Sequence, residues 1–264
     1  MLKKLIDITK EAGEIIKEGF NAPKKITHKG SIDLVTQYDV KVEKFLLEKL
    51  SELFPNYMLI AEESYKNETT KNNRIYIDPI DGTTNFVHSI PHVAISIGVV
   101  KDNELYLAVV YNPILNECYS AQKGMGATLN DKPIHVNSTN HTILNSLIAT
   151  GFPYSISSKD REKSQKAVNW VIPKVEKILT KSQGIRRLGS AALDLCYVAN
   201  GSFEGYYEAF LLPWDISAGI LIVQEAGGKV TTDKNKSYDL NEDNIVVATN
   251  GYIHEELINT LIMV

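Results

Sequence analysis

The sequence predicts a mixed fold, α+β in the first half of the chain and α/β in the second. In residues 1–140, two long amphipathic patterns precede a group of short apolar runs with strand periodicity. In residues 141–264, strand-like runs alternate with helix-like runs. Because no linker or low-complexity tract separates these ranges, we expect two lobes packed into one compact unit.

The first lobe is predicted to begin with two helices and to continue as a sheet. Apolar residues at helical spacing predict one helix over residues 2–20 and another from Thr36 to just before Pro55. Strands are predicted at 58–62 and 74–78, and Pro79 should take the chain out of the sheet because proline cannot donate to a ladder. Turn residues separate three further strands, which predict an antiparallel meander at 93–101, 104–111 and 118–121.

The second lobe is predicted to alternate between strands and helices up to its end. The strands are expected at 146–150, 184–188, 203–209, 229–232 and 244–249. The helices are expected at 160–181, 190–199, 215–226 and from Ile253 onward. Pro173 lies inside the longest of these helices and should kink or split it.

The composition is that of a soluble globular protein. Hydrophobic residues make up 44% of the 264 residues, charged residues make up 23%, and the formal net charge is −4. This acidic balance favours neither nucleic acid nor an anionic membrane as a partner. A protein of this kind that binds phosphate needs a local source of positive charge.

Several features of the sequence favour a cytoplasmic location. Cys118 and Cys196 form no ligand pattern and are expected to be reduced thiols. The N-terminus carries acids within its first turns and lacks the continuous apolar segment of a signal peptide. The longest apolar-rich stretch, residues 93–100, is too short to span a bilayer.

The stretch YIDPIDGTTNF, residues 76–86, places two aspartates three positions apart where a strand ends. Asp78, the carbonyl of Ile80 and Asp81 can face one point there, and hard oxygen ligands of this kind suit Mg²⁺. Gly82 lets the backbone approach a ligand closely, and the N–H groups of Gly82, Thr83 and a following helical turn would suit an anion. A plain double turn explains the same residues, and D-x-x-D alone does not decide between the two.

Acids at three other places in the sequence shift the balance toward a metal site. Glu62 and Glu63 end an apolar strand, where adjacent like charges are costly unless they are solvated or a cation sits there. Asp215 opens an apolar helix, where an ordinary N-cap is the alternative. Asp39 fits a capping box with Thr36. Together, acids at several strand ends and helix starts indicate a metal site.

Three of these stretches resemble signature regions of the inositol monophosphatase family, which consists of Mg²⁺-dependent, lithium-sensitive phosphatases. They are EES (62–64), DPIDGTTNFVH (78–88) and WDISAG (214–219). Four more resemble the family in order and spacing, DLVTQYD (33–39), GSAALDL (189–195), GYYEA (205–209) and EAGG (225–228). The resemblance covers nearly the whole chain. It implies the layered α/β/α/β/α sandwich of the inositol monophosphatase and fructose-1,6-bisphosphatase type, normally a homodimer.

The resemblance also implies roles for individual residues. Two or three Mg²⁺ ions would be held by Glu62, Asp78, the Ile80 carbonyl, Asp81 and Asp215. Glu62 and Thr83 would position the attacking water, with Asp39 hydrogen-bonded to Thr83. Gly82 and Thr83 would contact the phosphate. The hydroxyls of the substrate would meet Gly189, Ser190, Ala191 and Glu208, with Asp81 and Asp215 assisting. In the loop 27–32, where the family often carries a mobile lysine, the chain has Lys29.

The segment YYEA, residues 206–209, leads to a prediction about how the site recognises the hydroxyls of its substrate. Strand alternation puts Tyr206 and Glu208 on one face of the sheet and Tyr207 on the other. If Glu208 faces the site, its carboxylate can accept hydrogen bonds from ring hydroxyls. A solvated strand residue is the alternative.

These observations predict a Mg²⁺-dependent phosphomonoesterase that hydrolyses inositol monophosphate with a metal-activated water. The metals would supply the positive charge that this acidic chain lacks. The alternatives are a promiscuous phosphatase acting on fructose-1,6-bisphosphate, NADP or 3′-phosphoadenosine 5′-phosphate, and a non-catalytic metal-binding interaction protein. An enzyme with an aspartate nucleophile fits less well, because such enzymes usually show D-x-D whereas two residues separate Asp78 from Asp81.

Overall fold

The computed structural model describes residues 1–28, 34–65, 71–152 and 161–262, and the account below concerns those ranges. The chain begins with helix α1 (Leu2–Phe20), a short antiparallel pair formed by β1 (Ile26–His28) and β2 (Leu34–Thr36), and helix α2 (Gln37–Leu53). Both predicted N-terminal helices are confirmed, whereas the short pair was not expected. Lys29, the lysine of the 27–32 loop, lies outside the described residues.

A seven-stranded sheet follows, with its strands in the order of the sequence. The first two strands are parallel and the others antiparallel, so the predicted meander is confirmed. A short helix, α3 (Thr83–Val87), interrupts the series. The strands are β3 (Met58–Ala61), β4 (Arg74–Asp81), β5 (Ala94–Lys101), β6 (Glu104–Asn112), β7 (Glu117–Gln122), β8 (Ala127–Leu129) and β9 (Lys132–Ile134).

The predicted end of β4 at Asp78 is wrong, because the strand continues through Pro79 to Asp81. Asp78 pairs with Ser96 and Asp81 pairs with Ala94, so β4 advances three residues while β5 advances two. The extra residue is a bulge, a place in a sheet that tolerates proline because no ladder hydrogen bond is required there. The bulge carries both aspartates at the end of the sheet.

The second half forms a five-stranded sheet in the order β11-β10-β12-β14-β13. Its strands are β10 (Leu147–Thr150), β11 (Gly184–Arg186), β12 (Gly205–Ala209), β13 (Lys229–Thr231) and β14 (Ile245–Thr249). β10 is parallel to β11 and β12, and β14 is antiparallel to β12 and β13. The helices are α4 (Arg161–Lys181), α5 (Ala191–Ala199), α6 (Pro213–Glu225) and α7 (His254–Ile262), and a 3₁₀ turn covers Ile143–Asn145.

Three expectations for these helices need correction or fall outside the described part. Pro173 does not split α4, which continues on both sides of it. The predicted first residue of that helix, Asp160, is outside the described ranges. Helix α6 begins at Pro213, two residues before the predicted start, because proline suits the first turn of a helix.

The elements stack in five layers. Helices α1 and α2 cover one face of the seven-stranded sheet, and α5 and α6 lie between the two sheets. Helices α4 and α7 cover the outer face of the five-stranded sheet. Apolar side chains bury each contact, as where Val42 and Leu46 of α2 pack with Ile75 and Ile77 of β4. The predicted α/β/α/β/α sandwich is confirmed.

The two halves of the chain pack against each other. Helix α6, from the second half, packs on β5 and β6 of the first half. The division into lobes at residue 140 stays a prediction.

None of the helices within the described ranges is long and apolar enough to cross a membrane.

Candidate active site

A cavity of about 400 Å³ lies where the end of β4, the start of α5 and the start of α6 meet. It is lined by residues that the sequence predicts for the site. These are Glu62, Asp78, Ile80, Asp81, Gly82, Thr83, Gly189, Ser190, Ala191, Glu208 and Asp215. Asp39, the other predicted residue, lies behind the wall in contact with Thr83.

Asp39 and Thr83 are joined from neighbouring elements. The Thr83 hydroxyl oxygen lies 3.1 Å from Oδ1 of Asp39 and 3.0 Å from the carbonyl oxygen of Ile80. Oδ2 of Asp39 accepts hydrogen bonds of 2.7 and 2.6 Å from the backbone N–H and the hydroxyl of Thr36. The predicted capping box is therefore present, and the same carboxylate also reaches Thr83. Burial raises the pKa of Asp39, and these hydrogen bonds oppose the rise.

Four carboxylates face the cavity from two elements, β4 and α6, and from the residue that follows β3. Asp78 and Asp81 come from the bulge of β4, and Asp215 comes from the first turn of α6. Glu62 follows β3, where its N–H donates to the Ile77 carbonyl at 3.1 Å. The half-buried Glu62 side chain lines the cavity together with the three aspartates.

Burial disfavours charge on the three aspartates. Burial raises the pKa of Asp78 well above its usual range, and the charges of Glu62, Asp81 and Asp215 raise it further. Burial likewise raises the pKa of Asp215. The pKa of Asp81 rises to about 6 because of burial, although hydrogen bonds from Ser190 and Ala192 oppose the shift. A bound cation would remove this repulsion and let the carboxylates ionise.

The donors in the cavity fit a hard cation such as Mg²⁺. Three of the carboxylates use one oxygen for a hydrogen bond within the protein. Asp78 accepts from Ile80 N–H at 3.0 Å, Asp81 accepts from the Ser190 hydroxyl at 2.6 Å, and Asp215 accepts from Leu212 N–H at 2.7 Å. Carboxylate and carbonyl oxygens are the ligands that Mg²⁺ prefers.

The carboxylate side chains do not converge on one point in the positions that they occupy here. Among the described residues, no three His, Cys, Asp or Glu side chains come together closely enough to hold an ion without moving. The donor chemistry fits a cation, and ligation requires small side-chain movements.

Helix α5 holds Asp81 from the far side of the cavity. The Ser190 hydroxyl caps this helix by accepting from Leu193 N–H at 3.3 Å, and it donates to Oδ2 of Asp81. The backbone N–H of Ala192 donates to the same oxygen at 2.8 Å. The N-terminal turn of a helix favours negative charge, so α5 orients this carboxylate and leaves its other oxygen for the cavity.

Two glycines bring the backbone close to the cavity. Gly82 and Gly189 have φ angles of 91° and 89°, which side chains rarely allow. A Cβ atom on Gly82 would lie 2.9 Å from the carbonyl oxygen of His92 and 3.2 Å from that of Gly189. The helical turn expected after Gly82 is α3.

Glu208 lies on the opposite wall, and the interpretation of it as a solvated residue is wrong. Its side chain is 8% exposed, and the Tyr206 hydroxyl donates to Oε2 at 2.5 Å. The predicted alternation along β12 is therefore confirmed. Burial raises the pKa of Glu208 to about 8, although the Tyr206 hydrogen bond and the charge of Arg187 oppose the shift.

Sequence reasoning missed several residues around Glu208. Arg187 lines the cavity, with its guanidinium 5.8 Å from the centre of the Phe152 ring. Gly151 faces Glu208 so closely that a Cβ atom there would lie 1.9 Å from Oε2. Arg187 directly precedes the LGS turn, which is a signal that could have identified it. Gly151 carries no local signal, because its importance comes from a residue on a different strand.

The two cysteines take no part in the site. Both Cys118 and Cys196 are buried and free. Burial raises the pKa of the Cys118 thiol to about 11. A thiol with a raised pKa is a poor nucleophile and a poor metal ligand near neutral pH, as expected for structural cysteines.

Comparison with known proteins assigns the chain to a family. The model of the inositol monophosphatase family matches residues 1–262. The inositol-1-monophosphatase of Synechocystis sp. is 41% identical over 95% of this chain and 84% of its own. The inositol monophosphatase 2 of Solanum lycopersicum is 39% identical over 97% of this chain and 96% of its own. The crystal structure of the extragenic suppressor protein suhB from Bartonella henselae superposes with a TM-score of 0.89 at 33% identity, covering 98% of this chain and 97% of that one. The chain therefore belongs to the inositol monophosphatase family and is a phosphatase.

Proposed function

We propose that this enzyme is a Mg²⁺-dependent phosphomonoesterase that hydrolyses myo-inositol-1-phosphate to inositol and phosphate. One observation carries the proposal. A single cavity has an acidic wall that suits cations and, opposite it, the buried carboxylate of Glu208, which suits hydroxyls. A polyol phosphate presents both kinds of group, a dianionic ester at one end and ring hydroxyls at the other.

Metal dependence is a property of the family, and we propose Mg²⁺ as the metal. The residues that would hold two or three ions are Glu62, Asp78, Ile80 through its carbonyl, Asp81 and Asp215. When bound, Mg²⁺ neutralises phosphate oxygens, lowers the pKa of a coordinated water and stabilises the leaving alkoxide. Inhibition by Li⁺ is part of the same proposal, because a small cation can compete for one of these positions.

The chain itself orients the attacking water through Thr83 and Glu62. The Thr83 hydroxyl is placed to donate toward Asp39 or the Ile80 carbonyl, so a lone pair of its oxygen can accept a hydrogen bond from water. The Glu62 carboxylate can accept the second hydrogen. Asp39 acts through Thr83 and is a positioning residue.

The opposite wall would bind the leaving group. Glu208 would accept hydrogen bonds from ring hydroxyls while Tyr206 fixes its other oxygen. The backbone of Gly189, Ser190 and Ala191 lines the path between Glu208 and the acids, and Asp81 and Asp215 complete the contact with hydroxyls near the ester. Gly82 and Thr83 would contact the phosphate itself.

Assembly and location belong to this proposal as well. The resemblance to the family supports a homodimer, and the acidic composition supports a cytoplasmic enzyme that binds neither nucleic acid nor membrane.

A phosphate-release panel tests the substrate. Inositol-1-phosphate, fructose-1,6-bisphosphate, NADP and 3′-phosphoadenosine 5′-phosphate would be compared at saturating Mg²⁺. We expect the highest kcat/KM on inositol-1-phosphate. A higher value on one of the other three would identify the promiscuous sugar or nucleotide phosphatase instead, and no release from any of them would favour a non-catalytic interaction protein.

A further inference from the structure

The side chain of Asn85 joins two backbone segments beside the cavity. Its Nδ2 atom donates to the carbonyl oxygen of His92 at 2.8 Å and to that of Leu188 at 2.8 Å. Asn85 is 7% exposed, so both bonds are sheltered from water. An amide NH₂ has two hydrogens, and each of them has an acceptor here.

The two carbonyls belong to segments that carry site residues. His92 lies just before β5, the strand that pairs with Asp81 at Ala94. Leu188 precedes Gly189 and the N-terminus of α5. The Ser190 hydroxyl at that terminus donates a hydrogen bond to Oδ2 of Asp81. Asn85 therefore links the segment that precedes β5, the strand paired with Asp81, to the segment that precedes α5, the helix that hydrogen-bonds Asp81.

The amide also packs against both left-handed glycines. A Cβ atom on Gly189 would lie 3.2 Å from Nδ2 of Asn85, and one on Gly82 would lie 3.6 Å from it. The backbones of the two turns consequently approach each other across this side chain. The carbonyl oxygens of His92 and Leu188 share the Asn85 amide as their donor.

We propose that Asn85 is a positioning residue that fixes the 188–192 segment against the acidic cluster and thereby sets the affinity of the cavity for Mg²⁺. This inference rests on the proposed metal site. Asp81 is held on Oδ2 by Ser190 and Ala192, and its other oxygen points correctly only while α5 stays in place. Asn85 holds α5 in place through Leu188, independently of the charge on Asp81. Partners that orient a metal ligand in this way contribute strongly to metal affinity.

The experiment compares Asn85→Ala with a matched control, Asn250→Ala. Nδ2 of Asn250 donates to the carbonyl oxygens of Asn137 and Asn140, at 2.9 Å each. Asn250 is 2% exposed and does not line the cavity. Its replacement removes the same kind of double hydrogen bond from a buried position, together with the bonds that Oδ1 of Asn250 accepts from Tyr252 and Ile253 N–H. The Kd for Mg²⁺ is measured by calorimetry on metal-free protein, and thermal melting reports the folding of each variant.

We expect Asn85→Ala to fold and to bind Mg²⁺ about 10–100-fold more weakly than wild type. The control Asn250→Ala should melt earlier than wild type yet bind Mg²⁺ as wild type does. At subsaturating Mg²⁺, Asn85→Ala should lose the same factor in kcat/KM on inositol-1-phosphate and on a small aryl phosphate. Saturating Mg²⁺ should restore most of the kcat/KM that Asn85→Ala loses on both substrates.

Three results would overturn the inference. Asn85→Ala could bind Mg²⁺ as tightly as wild type, the control could lose as much affinity, or Asn85→Ala could fail to fold while the control folds. The last result would make Asn85 a determinant of the whole fold and not of the metal site. Wild-type protein that binds no Mg²⁺ would be a different failure, since it removes the proposed function itself.

Discussion

The Tyr206 hydroxyl donates a 2.5 Å hydrogen bond to Oε2 of Glu208, and both side chains are buried on the same face of β12. The bond fixes one carboxylate oxygen and leaves the other for the cavity. Because Glu208 lines the same cavity as the acids, we propose that it selects substrates and takes no part in phosphate chemistry.

The first prediction concerns Glu208→Gln, which keeps the shape of the side chain and removes its charge. Above pH 8, where the Glu208 carboxylate is ionised, a hydrogen bond to this charged acceptor is worth about 1.5–3 kcal/mol, so kcat/KM on inositol-1-phosphate measured there should fall about tenfold to a hundredfold. A small aryl phosphate without ring hydroxyls should lose little. The quantity to measure is the ratio of the two efficiencies in wild type and variant. A constant ratio would show that Glu208 does not recognise the polyol.

A second prediction uses the glycine that faces Glu208. In Gly151→Ala, the new Cβ atom would lie 1.9 Å from Oε2, so the Glu208 carboxylate has to move. The variant should therefore lose efficiency on inositol-1-phosphate by a factor similar to that of Glu208→Gln, with little change on the aryl phosphate. Gly184→Ala is the control, because its Cβ would come no closer than 3.3 Å to a neighbouring side chain. Equal losses on the two substrates in Gly151→Ala would contradict this account.

Much of the fold was predictable because its long elements carry strong periodic signals. Helices α1 and α2 and the meander from β5 to β7 fall close to their predicted places. Strands β8 and β9 have three residues each, too few for a periodic pattern to show. The passage of β4 through Pro79 was missed because a bulge depends on the partner strand and not on local sequence.

The candidate site was predictable to the extent that its acids end strands or begin helices. The family motifs extended that prediction to Ser190 and Glu208, and the cavity brings them together. The contacts of Gly151 were not predictable, since Thr150 pairs with Tyr207 and only that pairing sets Gly151 opposite Glu208. Sequence periodicity does not show which strands become neighbours.

A third prediction follows from the raised pKa values in the cavity. Burial, the largest cause in each case, brings the pKa of Asp81 to about 6 and that of Glu208 to about 8, and it raises the pKa of Asp78 and Asp215. Such groups hold protons more tightly in the folded state than in the unfolded state, where carboxyl pKa values are about 4. The free energy of unfolding of the metal-free enzyme should therefore decrease as pH rises from about 4 to about 8.

Mg²⁺ should reverse this loss, because a cation stabilises the ionised carboxylates and binds only the folded state. The measurement is Tm at pH 5 and pH 8, with a chelator and with saturating Mg²⁺. The increase in Tm on adding Mg²⁺ should be larger at pH 8 than at pH 5. An equal increase at both values would show that the ion does not bind at these acids.

The most direct test of the metal-dependent mechanism is the rate of phosphate release by Asp81→Asn across a Mg²⁺ titration. The amide oxygen can still accept from Ser190 and Ala192, so the fold should be kept while one charged ligand is lost. Glu204→Gln is the control, since Glu204 is buried, accepts from Asn137 and Leu147 N–H, and does not line the cavity. Because charge stabilisation by a metal is worth several kcal/mol, turnover of Asp81→Asn should fall about a hundredfold or more at every Mg²⁺ concentration, while Glu204→Gln stays active. Near-normal turnover of Asp81→Asn at saturating Mg²⁺ would contradict the account.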